Sequence, residues 1–158
     1  MITIISAINN NNIIWNNNDL LYYIPEDLKR FKKLTLWKTI VMGKKTWDSL
    51  PEKYKPLPKR KNIILSRDKN LKVEWAIVYN EVNKLIEDEK DLWIIGWAQI
   101  YNLFIWKADI LEITKIDDNK KGNVYFPEIK NKDFEIIEKS IIKTYKEMNY
   151  QYLTYEKK

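Results

Sequence analysis

Two apolar runs in this chain stop at a glycine and pass straight into a helix start. They are Thr39-Ile-Val-Met-Gly43 before Lys44 and Trp93-Ile-Ile-Gly96 before Ala98. A third run, Asn62 to Leu65, stops at Ser66-Arg67. Runs this short and apolar on both sides read as strands buried on two faces, and helices in between make such strands parallel. The rest of the chain extends the pattern. Ile2 to Ile8 is a strand, and Pro25 opens a helix to about Leu34, with Glu26 and Asp27 in its first turn. Val73 to Val78 is a strand, Glu81 to Glu87 a helix, and Ala98 to Phe104 another. Ile110 to Ile116 alternates as a half-buried strand does, and Phe134 to Ile142 with Tyr150 to Tyr155 reads as a closing antiparallel pair. The Asn-rich stretch Asn9 to Asn18 reads as one mobile, polar loop. Alternation first and antiparallel strands last define an α/β domain with a mixed sheet spanning residues 1–158.

Composition narrows the chemistry. The 158 residues contain no histidine and no cysteine. Disulfides, thiolate nucleophiles and Ser-His dyads are therefore excluded, and no metal site is expected. Proton transfer must fall to a carboxylate, Lys, Tyr or water. The formal charge of +6 favours anionic partners. Met1 to Ile8 lacks the basic lead and cleavage site of a signal peptide, and Leu92 to Trp106 is too short to span a bilayer. The expectation is a cytoplasmic monomer with a small-molecule partner, no nucleic acid and no membrane.

Three segments can carry chemistry. In Ile24-Pro-Glu-Asp27-Leu28-Lys-Arg-Phe31, Asp27 and Phe31 share a helix face. An acid buried on that face would hold its proton near neutrality, whereas an exposed one would only complement the helix dipole. Gly43-Lys44-Lys45-Thr46 at a strand end can hold phosphate, and Ser66-Arg67 offers a donor and a cation at another. Ile95-Gly96-Trp97-Ala98 repeats the strand-turn-helix form without the Gly-x-Gly-x-x-Gly spacing of a Rossmann turn.

In this order and spacing the segments resemble dihydrofolate reductases of the bacterial chromosomal type. The likeness runs end to end through Ile5-Ser6-Ala7, the Leu28/Phe31 helix, Met42-Gly43-x-x-Thr46-Trp47-x-Ser49, Leu57-Pro58-x-Arg60-x-Asn62-Ile63-Ile64-Leu65-Ser66, Ile95-Gly96-x-Ala98-x-Ile100-Tyr101, Thr114 and Phe126-Pro127. It implies a mostly parallel, eight-stranded sheet flanked by about four helices. It also implies reduction of 7,8-dihydrofolate to 5,6,7,8-tetrahydrofolate, with NADPH as cofactor. Carried over, Asp27 is the pocket carboxylate and Tyr22 stands beside it, where its hydroxyl would hold a water. Ile5, Ala7, Leu28, Phe31, Leu50 and Ile95 line the substrate slot, Arg60 pairs with the glutamate tail, and Thr114 bonds Asp27 or the pterin amine. Cofactor contacts fall on Ala7, Ile14, Gly43, Lys44, Lys45, Thr46, Leu65, Ser66, Arg67, Gly96, Trp97, Ala98, Gln99 and Tyr101.

Several positions depart from the family pattern. Tyr22 stands for a usual Trp, Leu20-Leu21 for a more familiar pair, and Asn123 for an Asp. There are 3 glycines, where average usage of ~7% predicts about 11, against 7 tryptophans. Trp15 and Trp97 occupy positions where the family has glycine, and Trp37, Trp75 and Trp106 extend the surplus. A gene whose UGA codons mean glycine, but are written here as tryptophan, would show this pattern. Two rivals share the likeness: an NADPH-binding protein that does not turn over because Trp15 and Trp97 obstruct it, and a related pyrimidine reductase. A third, a basic nucleic-acid-binding domain, would need a lysine stripe with interleaved aromatics.

Overall fold

The computed structural model describes residues 1–16 and 19–158. In chain order the elements are β1 Ile2–Ile8, β2 Ile13–Asn16, β3 Asp19–Leu20, α1 Pro25–Thr35, β4 Thr39–Gly43, α2 Lys44–Ser49, β5 Lys61–Leu65 and β6 Ile77–Tyr79. There follow α3 Val82–Asp88, β7 Leu92–Gly96, α4 Ala98–Phe104, β8 Ile110–Ile116, β9 Val124–Tyr125, β10 Phe134–Lys139, β11 Lys143–Tyr145 and β12 Met148–Lys157. The main sheet runs β10-β12-β8-β1-β7-β4-β5-β6, with β11 added against β12. Its centre is parallel, from β8 through β1, β7, β4 and β5 to β6. The β8–β12, β10–β12 and β11–β12 pairs are antiparallel.

Successive residues of the central strands go to opposite cores. Ile4, Val41, Ile63, Ile94 and Ile113 join one cluster, with Leu85 of α3 and Ile100, Tyr101 and Phe104 of α4. Ile40, Met42 and Ile64 join another, with Trp47 of α2. Both faces are covered, which is why these strands read as unbroken apolar runs rather than alternating ones. Phe104 is 0% exposed, and burying a side chain of its size contributes roughly 1.5–3 kcal/mol. No helix among the described residues is long and apolar enough to cross a membrane.

The structure corrects two expectations. The polar loop from Asn9 is partly ordered into β2 and β3, which form a second, three-stranded sheet with β9; Asn17 and Asn18 lie outside the described residues. The strand expected from Val73 to Val78 is instead Ile77–Tyr79. Trp75 has φ +63°, and a left-handed residue breaks an extended run at that point.

Candidate active site

The site is built where α1 lies across β8 and β12. Its side chains tie α1 down at three places. Tyr150 O–H on β12 donates to Glu26. Thr114 Oγ1 on β8 donates to Asp27 Oδ1 at 2.5 Å. Arg30 Nη2 meets Glu112 Oε2, also on β8, at 2.5 Å, and Thr154 Oγ1 donates to the same oxygen at 3.0 Å. Arg30 further stacks on Tyr152, its guanidinium carbon 4.4 Å from the ring centre. Asp27 and Arg30 are three apart and so face the same way. Thr114 and Glu112 are two apart on β8 and also share a face.

This arrangement withdraws the Asp27 carboxyl from water. Burial raises its pKa, and the Thr114 hydroxyl and the Arg30 charge pull it back only in part. The negative charge of Asp27 is felt in turn at Tyr152, whose pKa burial pushes up to about 12. Ala7 on β1 pairs in register with Thr114, and Ile5 with Glu112. Ala7 is half-buried and Ile5 is buried, so both border the same face as Asp27. Across β7, Ile95 packs with Leu50 and Leu57 against Trp47 and Met42. Leu28 remains 38% exposed and Phe31 half-buried on α1.

Arg60 lies near Phe31 and is oriented by three hydrogen bonds. Its Nε donates to Thr35 Oγ1 at 2.9 Å, its Nη1 to Pro58 O at 2.9 Å and its Nη2 to Lys32 O at 3.4 Å. The guanidinium lies 5.9 Å from the Phe31 ring centre. A guanidinium carries five N–H donors, so the fork is oriented with donors still to offer. Partial burial lowers the pKa of Arg60, but an arginine stays charged in this setting.

The cofactor candidates gather at the carboxyl ends of three neighbouring strands. Gly43 pairs with Leu65 on β5, and Met42 pairs with Gly96 on β7. Lys44, Lys45 and Thr46 begin α2, and Ala98 begins α4. Gly96 has φ +127°, where L side chains rarely go, and a Cβ there would lie 3.2 Å from Thr46 Oγ1. Thr46 Oγ1 is itself buried and has no hydrogen-bond partner among the described residues. An orphaned hydroxyl beside a glycine cradle fits a bound polar group. Tyr101 is buried, donates its O–H to Ile5 O at 2.9 Å and packs 5.0 Å from Phe126. Ser66 Oγ accepts Asp68 N at 3.2 Å, and Arg67 is exposed beside it. Gln99 is exposed and Ile14 is buried. Lys45, Trp97, Ala98, Asn102, Asn123, Val124 and Tyr125 line a cleft of about 480 Å³. Trp97 is 8% exposed, and Lys45 Nζ lies 5.3 Å from its ring centre.

The structure gives the Tyr22 hydroxyl two protein partners. Its O–H donates to Asp118 Oδ2 at 2.5 Å, and Asn9 Nδ2 donates to Tyr22 Oη at 3.1 Å. The hydroxyl is therefore committed to the 117–123 loop. Burial and the Asp118 bond raise the Tyr22 pKa, and that same bond holds Asp118 low. Asn9, 0% exposed, is the hub that composition hid inside a low-complexity run. Its Oδ1 accepts Asn11 N and Ile13 N at 3.0 Å each, and its Nδ2 also donates to Lys120 O at 2.9 Å. Glu112 and Arg30 were missed as a pair; a lone acid on the alternating strand Ile110–Ile116 was the available signal.

An α/β sheet with a buried acid on one side and a glycine and hydroxyl cradle at its carboxyl edge suits a nucleotide-dependent reductase, and comparison with known proteins supplies the family. The family model for dihydrofolate reductase matches residues 1–157. The chain is 41% identical over 138 residues to the dihydrofolate reductase of Buchnera aphidicola from Schizaphis graminum, covering 84% of this chain and 83% of that one. It is 32% identical to the dihydrofolate reductase of Bacillus subtilis, covering 100% and 95%. Among solved structures, a dihydrofolate reductase from Enterococcus faecalis, complexed with NADP(H) and RAB-propyl, superposes with a TM-score of 0.88. The two share 26% identity and cover 99% and 96% of each other. The chain belongs to the dihydrofolate reductase family.

Proposed function

We propose that Asp27 is the carboxyl group around which this chain reduces 7,8-dihydrofolate to 5,6,7,8-tetrahydrofolate with NADPH. One observation carries the reading: a carboxyl on α1, desolvated enough to raise its pKa, yet fastened to Thr114 so that its position is set. The pterin ring is flat, with an amine and ring nitrogens along one edge. Asp27 accepts from that edge while Ile5, Ala7, Leu28, Phe31, Leu50 and Ile95 wall the faces. Arg60 then meets the α-carboxylate of the glutamate tail with its free donors, a two-point contact that Lys fills less well.

When bound, NADPH would supply the hydride that the reduction adds at C6. The proton that completes the reduction goes to N5 through water, and Asp27 supports its delivery by holding the substrate's amine edge with a carboxyl whose proton affinity burial raises. Thr46 and the Gly43 and Gly96 cradle fit the cofactor's polar middle, with Lys44, Lys45 and Arg67 as countercharges for its phosphates. The apolar walls keep the two reacting rings close and water out. Tyr22 acts as a positioning residue, because its hydroxyl ties the segment leading into α1 to Asp118. The chain acts as a cytoplasmic monomer without nucleic acid, consistent with a site contained in residues 1–158.

Spectrophotometric loss of NADPH on adding dihydrofolate tests the reading. The expected result is consumption that requires dihydrofolate and is much slower with NADH. Equal use of both nucleotides would contradict placing Ser66 and Arg67 against the 2′-phosphate, the group that NADPH has and NADH lacks. Consumption that requires a ribosylamino-pyrimidine instead would assign the site to a pyrimidine reductase.

A further inference from the structure

The seven tryptophans of the sequence do not behave as one population. Trp47 is 5% exposed and packs with Ile40, Met42 and Ile64, and half-buried Trp93 packs against the same cluster. Both do what a large aromatic does in a core. Trp37, Trp75 and Trp106, by contrast, are 73%, 68% and 56% exposed.

The backbone separates the groups further. Trp37 and Trp75 each have φ +63°. The other non-glycine residues with positive φ among those described are Asn12, Lys59, Asp91, Lys146 and Glu147, all polar. In the left-handed region the Cβ is crowded by the following carbonyl, and glycine alone escapes that penalty. Trp37 comes directly after Leu36, the C-cap of α1, and that is the position at which helices most often place glycine. Trp75 lies in the turn before β6, where a left-handed residue is again the usual place for glycine.

Trp97 differs from both groups. It is buried in the cluster of Ile94, Ile100 and Tyr101, and it also lines the cleft of Lys45 and Ala98, with Lys45 Nζ 5.3 Å from its ring centre. Its indole thus forms part of the wall of that cleft.

We propose that the protein made in its own cell carries glycine at positions 37 and 75, and through the same cause at 15, 97 and 106. UGA is read as tryptophan in one variant code and as glycine in another. A gene of the second kind, translated by the first, gains tryptophan and loses glycine at the same sites. Reassigning five tryptophans takes glycine from three to eight and leaves Trp47 and Trp93, which pack with Ile40, Met42 and Ile64. At position 97 the exchange removes the indole and widens the cleft beside Lys45 and Ala98.

The test is peptide mass after tryptic digestion of the enzyme purified from its native source, with the coding sequence read alongside. The peptide from Leu34 to Lys38 and that from Val73 to Lys84 each report one site. The peptide from Thr46 to Lys53 holds Trp47 as an internal control. The expected result is glycine mass in the first two, tryptophan mass in the third, and UGA codons at the five reassigned positions. Tryptophan mass at position 37 or 75, whatever the codon, overturns the proposal. A binding measurement follows for position 97. NADPH affinity of the Trp97→Gly chain is expected to rise at least tenfold over the chain with tryptophan, and an unchanged or weaker affinity overturns the widening of the cleft.

Discussion

Thr114→Val isolates one hydroxyl. Valine is close to threonine in shape, and Thr114 is 2% exposed, so the substitution changes little else. The lost O–H is the one donated to Asp27 at 2.5 Å. A hydrogen bond to a charged group contributes about 1.5–3 kcal/mol. This bond favours the ionised carboxylate, since it opposes the upward pull of burial on the Asp27 pKa. Its removal therefore raises the proton affinity of Asp27 further. Taking the low end, about 1.5 kcal/mol corresponds to slightly more than a tenfold change, or an inflection moved by about one pH unit. The direction follows from the role of Asp27. The protonated carboxyl supports delivery to N5, so kcat/KM falls as pH rises through the folded pKa, and the variant holds its activity to higher pH. Stability runs the same way. A carboxyl with a raised folded pKa stabilises the fold at low pH, and that contribution is lost as pH rises through the folded value. Thr114→Val deepens the loss at neutral pH. The assay is initial NADPH consumption from about pH 5 to about pH 9, with thermal unfolding at both ends. An inflection that stays put or moves down would refute the link between Thr114 and Asp27.

Three other perturbations probe other parts of the account. Glu112→Ala leaves Arg30 largely buried without its partner; the cost is about 3–5 kcal/mol, read as a lower urea midpoint, and a change under 1 kcal/mol would show that Tyr152 alone holds Arg30. Arg60→Lys keeps the charge but loses the oriented fork; KM for dihydrofolate rises about tenfold with kcat nearly unchanged, and an equal fall in both parameters would place Arg60 elsewhere in the reaction. Tyr22→Phe frees Asp118 and loosens the approach to α1, so kcat/KM falls several-fold without moving the pH inflection, whereas a moved inflection would put the hydroxyl in the proton path.

The central strands were legible because they are buried on both faces, and unbroken runs such as Ile40-Val41-Met42 and Ile63-Ile64-Leu65 have few alternatives. Helix α1 announced itself by Pro25 and its first-turn acids. The short strands β2, β3 and β9 did not, because four residues or fewer show no period and their pairing is tertiary. Asn9 was hidden for a different reason. Its value lies in four hydrogen bonds to residues between 2 and 111 positions away, and composition reports none of them. Asp27 could be singled out as an acid on an apolar face, but only the fold could decide that its carboxyl is desolvated rather than exposed. Its partner Thr114 was legible only through the family resemblance, because its pairing with Asp27 depends on β8 being brought beneath α1. Tyr22 was near the site in sequence, yet its hydroxyl went to a loop almost a hundred residues on, which spacing cannot reveal.

The most direct test of the account compares NADPH consumption by the parent chain with that of Asp27→Asn at neutral pH, each with dihydrofolate. Asparagine keeps the shape and the contact with Thr114 and removes the titrating proton. The account predicts dihydrofolate-dependent consumption in the parent, or in its Trp97→Gly form, and a fall of at least tenfold in the asparagine variant with thermal stability at neutral pH equal or higher. Equal rates in the two, or no dihydrofolate-dependent consumption even with glycine at position 97, would contradict it.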